Sequence, residues 1–234
     1  MKPTADNYFS DTAEEFDSGY KYSSAFKERF KVWTDLWPKY LPLTGKALDL
    51  GSGSGILSFP LATKGLQVTG IDGAANMIAL CNSKKDALRI QNVEFIASKI
   101  PFDQSILPTP YDVVISSSVL EYIEDIDRVL ADVYAILKPG GIFIVSMPNR
   151  QAVYRKLERI AYKLIQRPKY MKYVQHVVYK NDFNNKITRL GFDLLHSEFY
   201  GRQNKMLSFL PEAIASTLFV SVFKKKANST RLTF

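Results

Sequence analysis

Short apolar runs of strand length recur along this chain, separated by stretches in which apolar residues return every three or four positions. Lys46–Leu50, Gln67–Ile71, Val93–Ile96, Asp112–Ser116 and Gly141–Ser146 each read as a short buried strand. Between them, Ile56–Lys64, Ala74–Ala87 and Asp125–Leu137 carry the helical period. This alternation predicts βαβ units, and so a doubly wound α/β fold whose mostly parallel sheet is covered on both faces. Lys138-Pro139-Gly140-Gly141 predicts a sharp helix stop ahead of the fifth strand.

Two flanking regions leave the alternation. Residues 8–40 read as helical and rich in aromatics. Beyond the fifth strand, Tyr154–Gln166 reads as a basic amphipathic helix, followed by a turn at Arg167-Pro168 and a short helix at Asp182–Leu190. Phe192–Phe199 and Leu218–Phe223 predict two more strands that close the sheet. With no internal repeat or low-complexity linker, residues 1–234 read as one domain. Its parts are an N-terminal helical cap (1–44), a core (45–149), a basic helical insertion (150–191) and closing strands (192–226).

Composition changes this picture little. A chain of 234 residues with 46% hydrophobic and 23% charged residues fits one large α/β domain. The single Cys81 excludes an internal disulfide and a multi-cysteine metal site. Met1–Ser10 lacks the apolar run of a secretory signal, so a cytoplasmic protein is expected. Met206–Phe223 is apolar, but Pro211, Glu212 and four Ser/Thr residues favour a loop or helix running into a core strand over a membrane span.

Charge adds something local. Of the net +8, residues 150–175 hold +7, from eight Lys/Arg against one Glu, which leaves the remainder at +1. The apolar stripe of that segment is Val153, Leu157, Ile160, Ala161, Leu164 and Ile165, with Arg155, Lys156, Arg159, Lys163 and Arg167 on the other face. Two readings stand: a cap helix packed over a binding site with its charged face in solvent, or peripheral docking on an anionic membrane.

The candidate chemistry begins at Asp49-Leu50-Gly51-Ser52-Gly53-Ser54-Gly55. A glycine turn between a strand and a helix presents backbone N–H groups at the carboxyl edge of the sheet. The dinucleotide fingerprint Gly-x-Gly-x-x-Gly fails in both registers, because its third slot falls on Ile56 or on Ser58. That argues against an NAD(P)-linked oxidoreductase. Seventeen residues after Gly55, Asp72 ends the second strand, where a carboxylate can accept both hydroxyls of a ribose or cap the following helix.

Ala47–Gly55 followed by Gly70-Ile71-Asp72 resembles the first two motifs of the class I S-adenosylmethionine-dependent methyltransferases. Asn76-Met77, Tyr111–Ile115 running into Val119-Leu120-Glu121-Tyr122, and Leu137–Gly141 continue the resemblance in order. Met147-Pro148-Asn149-Arg150 is similar to the ubiquinone-biosynthesis-type small-molecule O-methyltransferases. The resemblance implies a seven-stranded Rossmann-like sheet with its last strand antiparallel, an N-terminal helical lid, and S-adenosylmethionine across the strand ends, with S-adenosylhomocysteine as product. It implies that Gly51, Gly53 and Gly55 let the backbone approach the methionine part, that Asp72 with Gly73 holds the ribose, and that Met77 and Ile100 sandwich the adenine. Ser116 would lie beside the sulfonium, and Tyr20 or Tyr22 would lid the site. One departure stands out: relatives with an acid at the adenine amine have it where this chain has Lys99, so Ser98, Lys99 or backbone groups take that place.

Transfer to a hydroxyl needs alignment and a base. The resemblance points to His176 as the base facing the acceptor, against a capping histidine; His196 is a weaker candidate within a strand pattern. No metal ligand set is visible, and Glu121, Glu124, Asp125 and Asp127 read as the acidic first turn of a helix. Ser116-Ser117-Ser118-Val119 lacks the Asp/Asn-Pro-Pro-aromatic run of base-methylating enzymes, and no basic aromatic platform appears. A small-molecule acceptor is expected, with no nucleic acid. The rival readings are N- or C-methylation, or a fold that binds a nucleoside without turnover.

Overall fold

The computed structural model describes residues 4–107, 110–202 and 210–227. Three helices open the chain: α1 (Ala5–Asp11), α2 (Ala13–Tyr22) and α3 (Ser24–Tyr40). The core follows as β1 (Gly45–Leu50), α4 (Ser58–Thr63), β2 (Leu66–Asp72), α5 (Ala75–Leu88), β3 (Val93–Ala97), β4 (Tyr111–Ser117), α6 (Ile126–Ile136) and β5 (Leu137–Pro148). Then come α7 (Val153–Ile165), α8 (Lys180–Arg189), β6 (Phe192–Arg202), α9 (Glu212–Ala215) and β7 (Ser216–Lys225).

The seven strands lie in the order β3-β2-β1-β4-β5-β7-β6. β1 to β5 are parallel, and β7 runs antiparallel between β5 and β6. The expected doubly wound sheet with an antiparallel last strand is therefore present. Because both faces are covered, the strands read as continuous apolar runs; β1 is buried from Ala47 to Leu50. One face packs under α3, α4 and α5, with Trp33, Trp37, Leu61 and Cys81 in its core. The other packs under α6 and α8, with Val129, Val133, Phe183 and Ile187. Trp33 and Trp37 are the largest side chains sealed on the first face, and truncating either to alanine removes about 3–5 kcal/mol.

The fifth strand starts earlier than its apolar run. Lys138–Gly141 stops α6 as expected but already lies within β5, since Leu137 pairs with Tyr111 across a register shift and Lys138 Nζ meets Asp112 Oδ1 at 2.7 Å. Part of the Met206–Phe223 stretch lies outside the described residues; its remainder forms α9 and β7. Among the described residues no helix is long and apolar enough to cross a membrane.

Strand order reverses between β1 and β4. The chain winds from β1 outward through β2 and β3, then restarts at β4 on the other side, so the loops after β1 and β4 part at their carboxyl ends. Ligands of open α/β sheets bind in that crevice.

Candidate active site at the sheet switch point

The loop after β1 folds back on the end of β2. Gly51 and Ser52 N–H both donate to Ile71 O, at 2.8 and 2.9 Å, and Gly53 N–H donates to Asp72 Oδ2 at 2.8 Å. These three amides, expected to be presented at the sheet edge, are bonded within the protein. The glycines matter here for conformation and room. Gly51 has φ +77°, and a Cβ there would lie 2.2 Å from Val119 Cγ2, on the turn after β4.

Asp72 is half-buried and ties loop to helix: Oδ2 accepts from Gly53 and Oδ1 from Ala74 at 2.8 Å. Each oxygen keeps a second lone pair for a ribose hydroxyl. Burial raises the Asp72 pKa, and the two backbone donors oppose that rise. Two residues ahead of Gly51, Asp49 is buried and accepts from Ser58 Oγ at 2.6 Å. Burial pushes its carboxyl up to about 7.

Above this edge opens a cavity of about 780 Å³. Of the residues expected at the cofactor, Gly51, Gly53, Asp72, Gly73, Met77 and Ile100 line it. The N-terminal helices form part of its wall. The Asp6 carboxylate sits against Gly73, where a Cβ would lie 2.6 Å from Oδ1, Phe9 meets Tyr122 edge-on at 5.0 Å, and Tyr8 meets Tyr173 at 5.4 Å.

Other expectations are displaced. Gly55 is outside the lining; it makes room for Phe59, 2.7 Å from its missing Cβ. Ser116 is buried in the sheet and donates to Leu50 O at 3.1 Å, so Ser117 and Ser118 reach the cavity instead. Ser98 spends its N–H on Asp72 O and its hydroxyl on Lys99 O, while Lys99 is exposed, and neither lines the cavity. Tyr20 sits behind the wall, hydrogen-bonded to Arg29, whereas Tyr22 is on the lining.

His176 is placed apart from this cavity. Its Nε2 lies 2.8 Å from Ile123 O and its N–H donates to Glu121 O, in a separate depression of about 340 Å³. The ring anchors the turn after β4, and the residue expected as the base is outside the lining of the larger cavity. His196 lies on β6, 3.6 Å from Glu198, and is also outside the lining.

Three charged residues of the cavity escaped the sequence reading. Arg29 on α3 is fully buried, and among the described residues its Nε has no hydrogen-bond partner. Burial pulls its pKa down, but Tyr20, Tyr200 and Glu121 nearby outweigh that and hold it charged. The signal was available: Arg29 falls on the helical face of Phe26, Phe30, Trp33 and Trp37, where a cation is out of place. Arg155 on α7 donates to Glu158 Oε2 at 3.0 Å, Tyr170 Oη at 3.2 Å and Thr217 O at 3.3 Å. Glu121 is in a 3-10 turn, Leu120–Tyr122, ahead of α6. It is 3% exposed, whereas Asp125 caps α6 as expected, accepting from Arg128 N–H at 2.9 Å.

The basic helix is turned relative to the cap reading. Tyr154, Arg155 and Glu158 face the cavity, while Leu157, Ile160, Leu164 and Ile165 are 55 to 77% exposed. The apolar stripe points outward. Among the described residues no group of three His, Cys, Asp or Glu side chains is placed to hold a metal ion.

A half-buried acid, a sulfur side chain and a buried cation whose Nε has no hydrogen-bond partner among the described residues thus share one crevice at the switch point. Residues 44–201 match the methyltransferase domain family. The chain belongs to that family, within the class I S-adenosylmethionine-dependent methyltransferases. It is 35% identical over 105 residues to the ubiquinone biosynthesis O-methyltransferase of Paramagnetospirillum magneticum, a match covering 45% of this chain and 41% of that protein. It is 30% identical over 149 residues to the tRNA 5-carboxymethoxyuridine methyltransferase of Escherichia coli K12, covering 62% and 57%. The chain thus spans less than two thirds of these relatives. Magnesium protoporphyrin IX methyltransferase from Synechocystis PCC 6803, solved with bound SAH, shares the fold at a TM-score of 0.64 and 18% identity, covering 86% of this chain and 83% of that one.

The residues present fit the family's cofactor, S-adenosylmethionine. Asp72 has lone pairs for the ribose, Met77 and Ile100 add apolar lining, and the unpaired Nε of Arg29, whose guanidinium also bonds Tyr20, suits a carboxylate such as that of the methionine part.

Proposed function

We propose that this protein transfers the methyl group of S-adenosylmethionine to oxygen, on a hydroxyl or carboxyl group of a small-molecule acceptor. The observation that carries this reading is one continuous cavity. It joins the cofactor residues Gly51, Gly53, Asp72 and Met77 to a chamber walled by Tyr122, Tyr154, Tyr170 and Tyr200. When bound, the cofactor supplies a methyl group already activated on a sulfonium. The chain's residues align the acceptor, keep water out and manage its proton. A cavity of about 780 Å³ falls in the range that holds small ligands. The O-methyltransferase name of the first relative supports oxygen as the acceptor atom.

Thermal-shift titration with S-adenosylhomocysteine and with NAD tests the cofactor. Stabilisation of about 2.7 kcal/mol at a hundredfold excess over Kd is expected for the first and none for the second. Asp72→Ala is expected to abolish it. A response to NAD alone would overturn the reading.

Within the same reading we place the protein in the cytoplasm, at the face of an anionic membrane. On α7 the apolar stripe is exposed and flanked by exposed Lys156, Arg159, Lys163 and Arg167, with Lys169 and Lys172 just beyond. Apolar side chains ringed by cations match a lipid surface, each cation contributing on the order of 1 kcal/mol. RNA-binding surfaces instead set aromatics among the cations. Cosedimentation with phosphatidylglycerol vesicles at low salt is expected, and Leu164→Glu should weaken it at least tenfold. Binding to tRNA but not to vesicles would refute the membrane assignment.

A further inference from the structure

We propose that Glu121 is the general base of this active site, taking the proton of a hydroxyl acceptor on Oε2. The inference rests on the methyltransferase reading above and narrows its acceptor from hydroxyl or carboxyl to hydroxyl.

The position of Glu121 carries the argument. Its turn directly follows Val119, which packs against Gly51 of the glycine loop, and both Gly51 and the chamber tyrosines line the same cavity as Glu121, so it stands where the cofactor end passes into the aromatic chamber. The turn is pinned from outside, because Gln175 and His176 N–H both donate to Glu121 O, at 2.7 and 3.1 Å. Oε2 is buried and, among the described residues, has no hydrogen-bond partner. An unpaired buried carboxylate oxygen is costly to keep, and an arriving hydroxyl relieves that cost.

The other acids of the lining are differently engaged. Asp72 is tied by Gly53 and Ala74, Asp6 lies against Gly73, Glu15 is exposed on α2, and Glu158 is held by Arg155 and by Tyr170 Oη at 2.8 Å. That last pairing matters, since Arg155 spends its guanidinium on Glu158 and makes no ion pair with Glu121 among the described residues. Charged and titratable groups facing Glu121 are Arg29 from α3, Arg155 from α7, Tyr122 from its own turn and Tyr200 from β6. Burial outweighs the two arginines and pushes its carboxyl up to about 7, near the working pH that suits a base. An ionised carboxyl acceptor would need no base and would be repelled by this group; a hydroxyl needs one.

The balance is simple. As the new oxygen–carbon bond forms, the hydroxyl proton passes to Glu121, and the electron pair of the broken carbon–sulfur bond stays on sulfur. The sulfonium charge is thereby replaced by a proton on the carboxylate.

The test compares wild type, Glu121→Gln and Glu121→Asp, each first titrated with S-adenosylhomocysteine. Affinities within about threefold of wild type show that the variants are folded and loaded. Labelled S-adenosylmethionine is then supplied with a small-molecule extract of the source cells. The expected result is a loss of at least a hundredfold in kcat for Glu121→Gln, with partial recovery in Glu121→Asp. Wild-type kcat should rise about tenfold per pH unit up to about 7 and then level, and that limb should vanish in Glu121→Gln. Independently of turnover, the infrared carboxylic band of the S-adenosylhomocysteine complex should contain a component titrating near 7 that Glu121→Gln removes and Asp49→Asn leaves. Wild-type rates in Glu121→Gln, an unchanged pH limb, or no such component would overturn the assignment. Failure of wild type to bind S-adenosylhomocysteine would overturn the parent reading, and this one with it.

Discussion

Asp49 offers a quantitative test of how the glycine loop is built, because its carboxyl is buried at 2% exposure with one side-chain donor, Ser58 Oγ. Burial holds its pKa at about 7 in the folded chain, against 3.8 for the free residue. The sign follows from proton binding. Between pH 4 and 7 the folded state keeps a proton that the unfolded chain has released, so stability falls as pH rises through that window. Between pH 5 and 8 those two values integrate to a loss of about 2 to 3 kcal/mol from this residue alone. Asparagine cannot titrate, and any fixed cost of its amide is the same at both pH values. Urea unfolding of wild type and Asp49→Asn at pH 5 and pH 8 gives the double difference directly. The variant should gain on wild type by about 2 to 3 kcal/mol at the higher pH, with Glu121 contributing equally to both proteins. A gap that changes by less than about 0.5 kcal/mol would mean that Asp49 is ionised throughout and that the loop is more open to water than its burial implies.

Three further outcomes are expected. Gly51→Ala should cost about 1–3 kcal/mol in thermal or urea unfolding, and Val119→Ala in the same chain should recover part of it, because the added Cβ meets Val119 Cγ2 at 2.2 Å. Arg29→Met should weaken S-adenosylhomocysteine binding by about tenfold or more in calorimetry, since a buried charged hydrogen bond is worth about 1.5–3 kcal/mol. His176→Ala should lower stability by about 1 kcal/mol through the lost bond to Ile123 O, with methyl transfer kept within about threefold of wild type.

What the sequence disclosed and what it hid divide along a physical line. β1, β2, β3 and β4 were legible to within a residue or two because a doubly covered sheet forces continuous apolar runs, and Asp49 to Gly55 with Asp72 was legible because its glycines answer to local backbone geometry. Periodicity also placed α7, yet it could not say which face is inward. The inward face is polar because it closes a ligand chamber with Arg155 and Glu158, so an amphipathic helix that would ordinarily bury its leucines leaves them outside. Glu121 was hidden for a related reason. Four acids in seven residues look like a helix start, and three of them lie at that start, but one 3-10 turn between Ser118 and Asp125 rotates the first of them into the cavity. Its neighbours Leu120 and Tyr122 are the only sequence hint, a single acid inside an apolar stretch. Such a group survives in a folded chain only where something compensates its burial. Here the partial compensation by Arg29 and Arg155, each from a different element, is a property of the assembled cavity and of no local segment. The residues that resisted reading are those whose burial is unfavourable in isolation, and in this fold they gather at the end of the cavity where an acceptor has to be held.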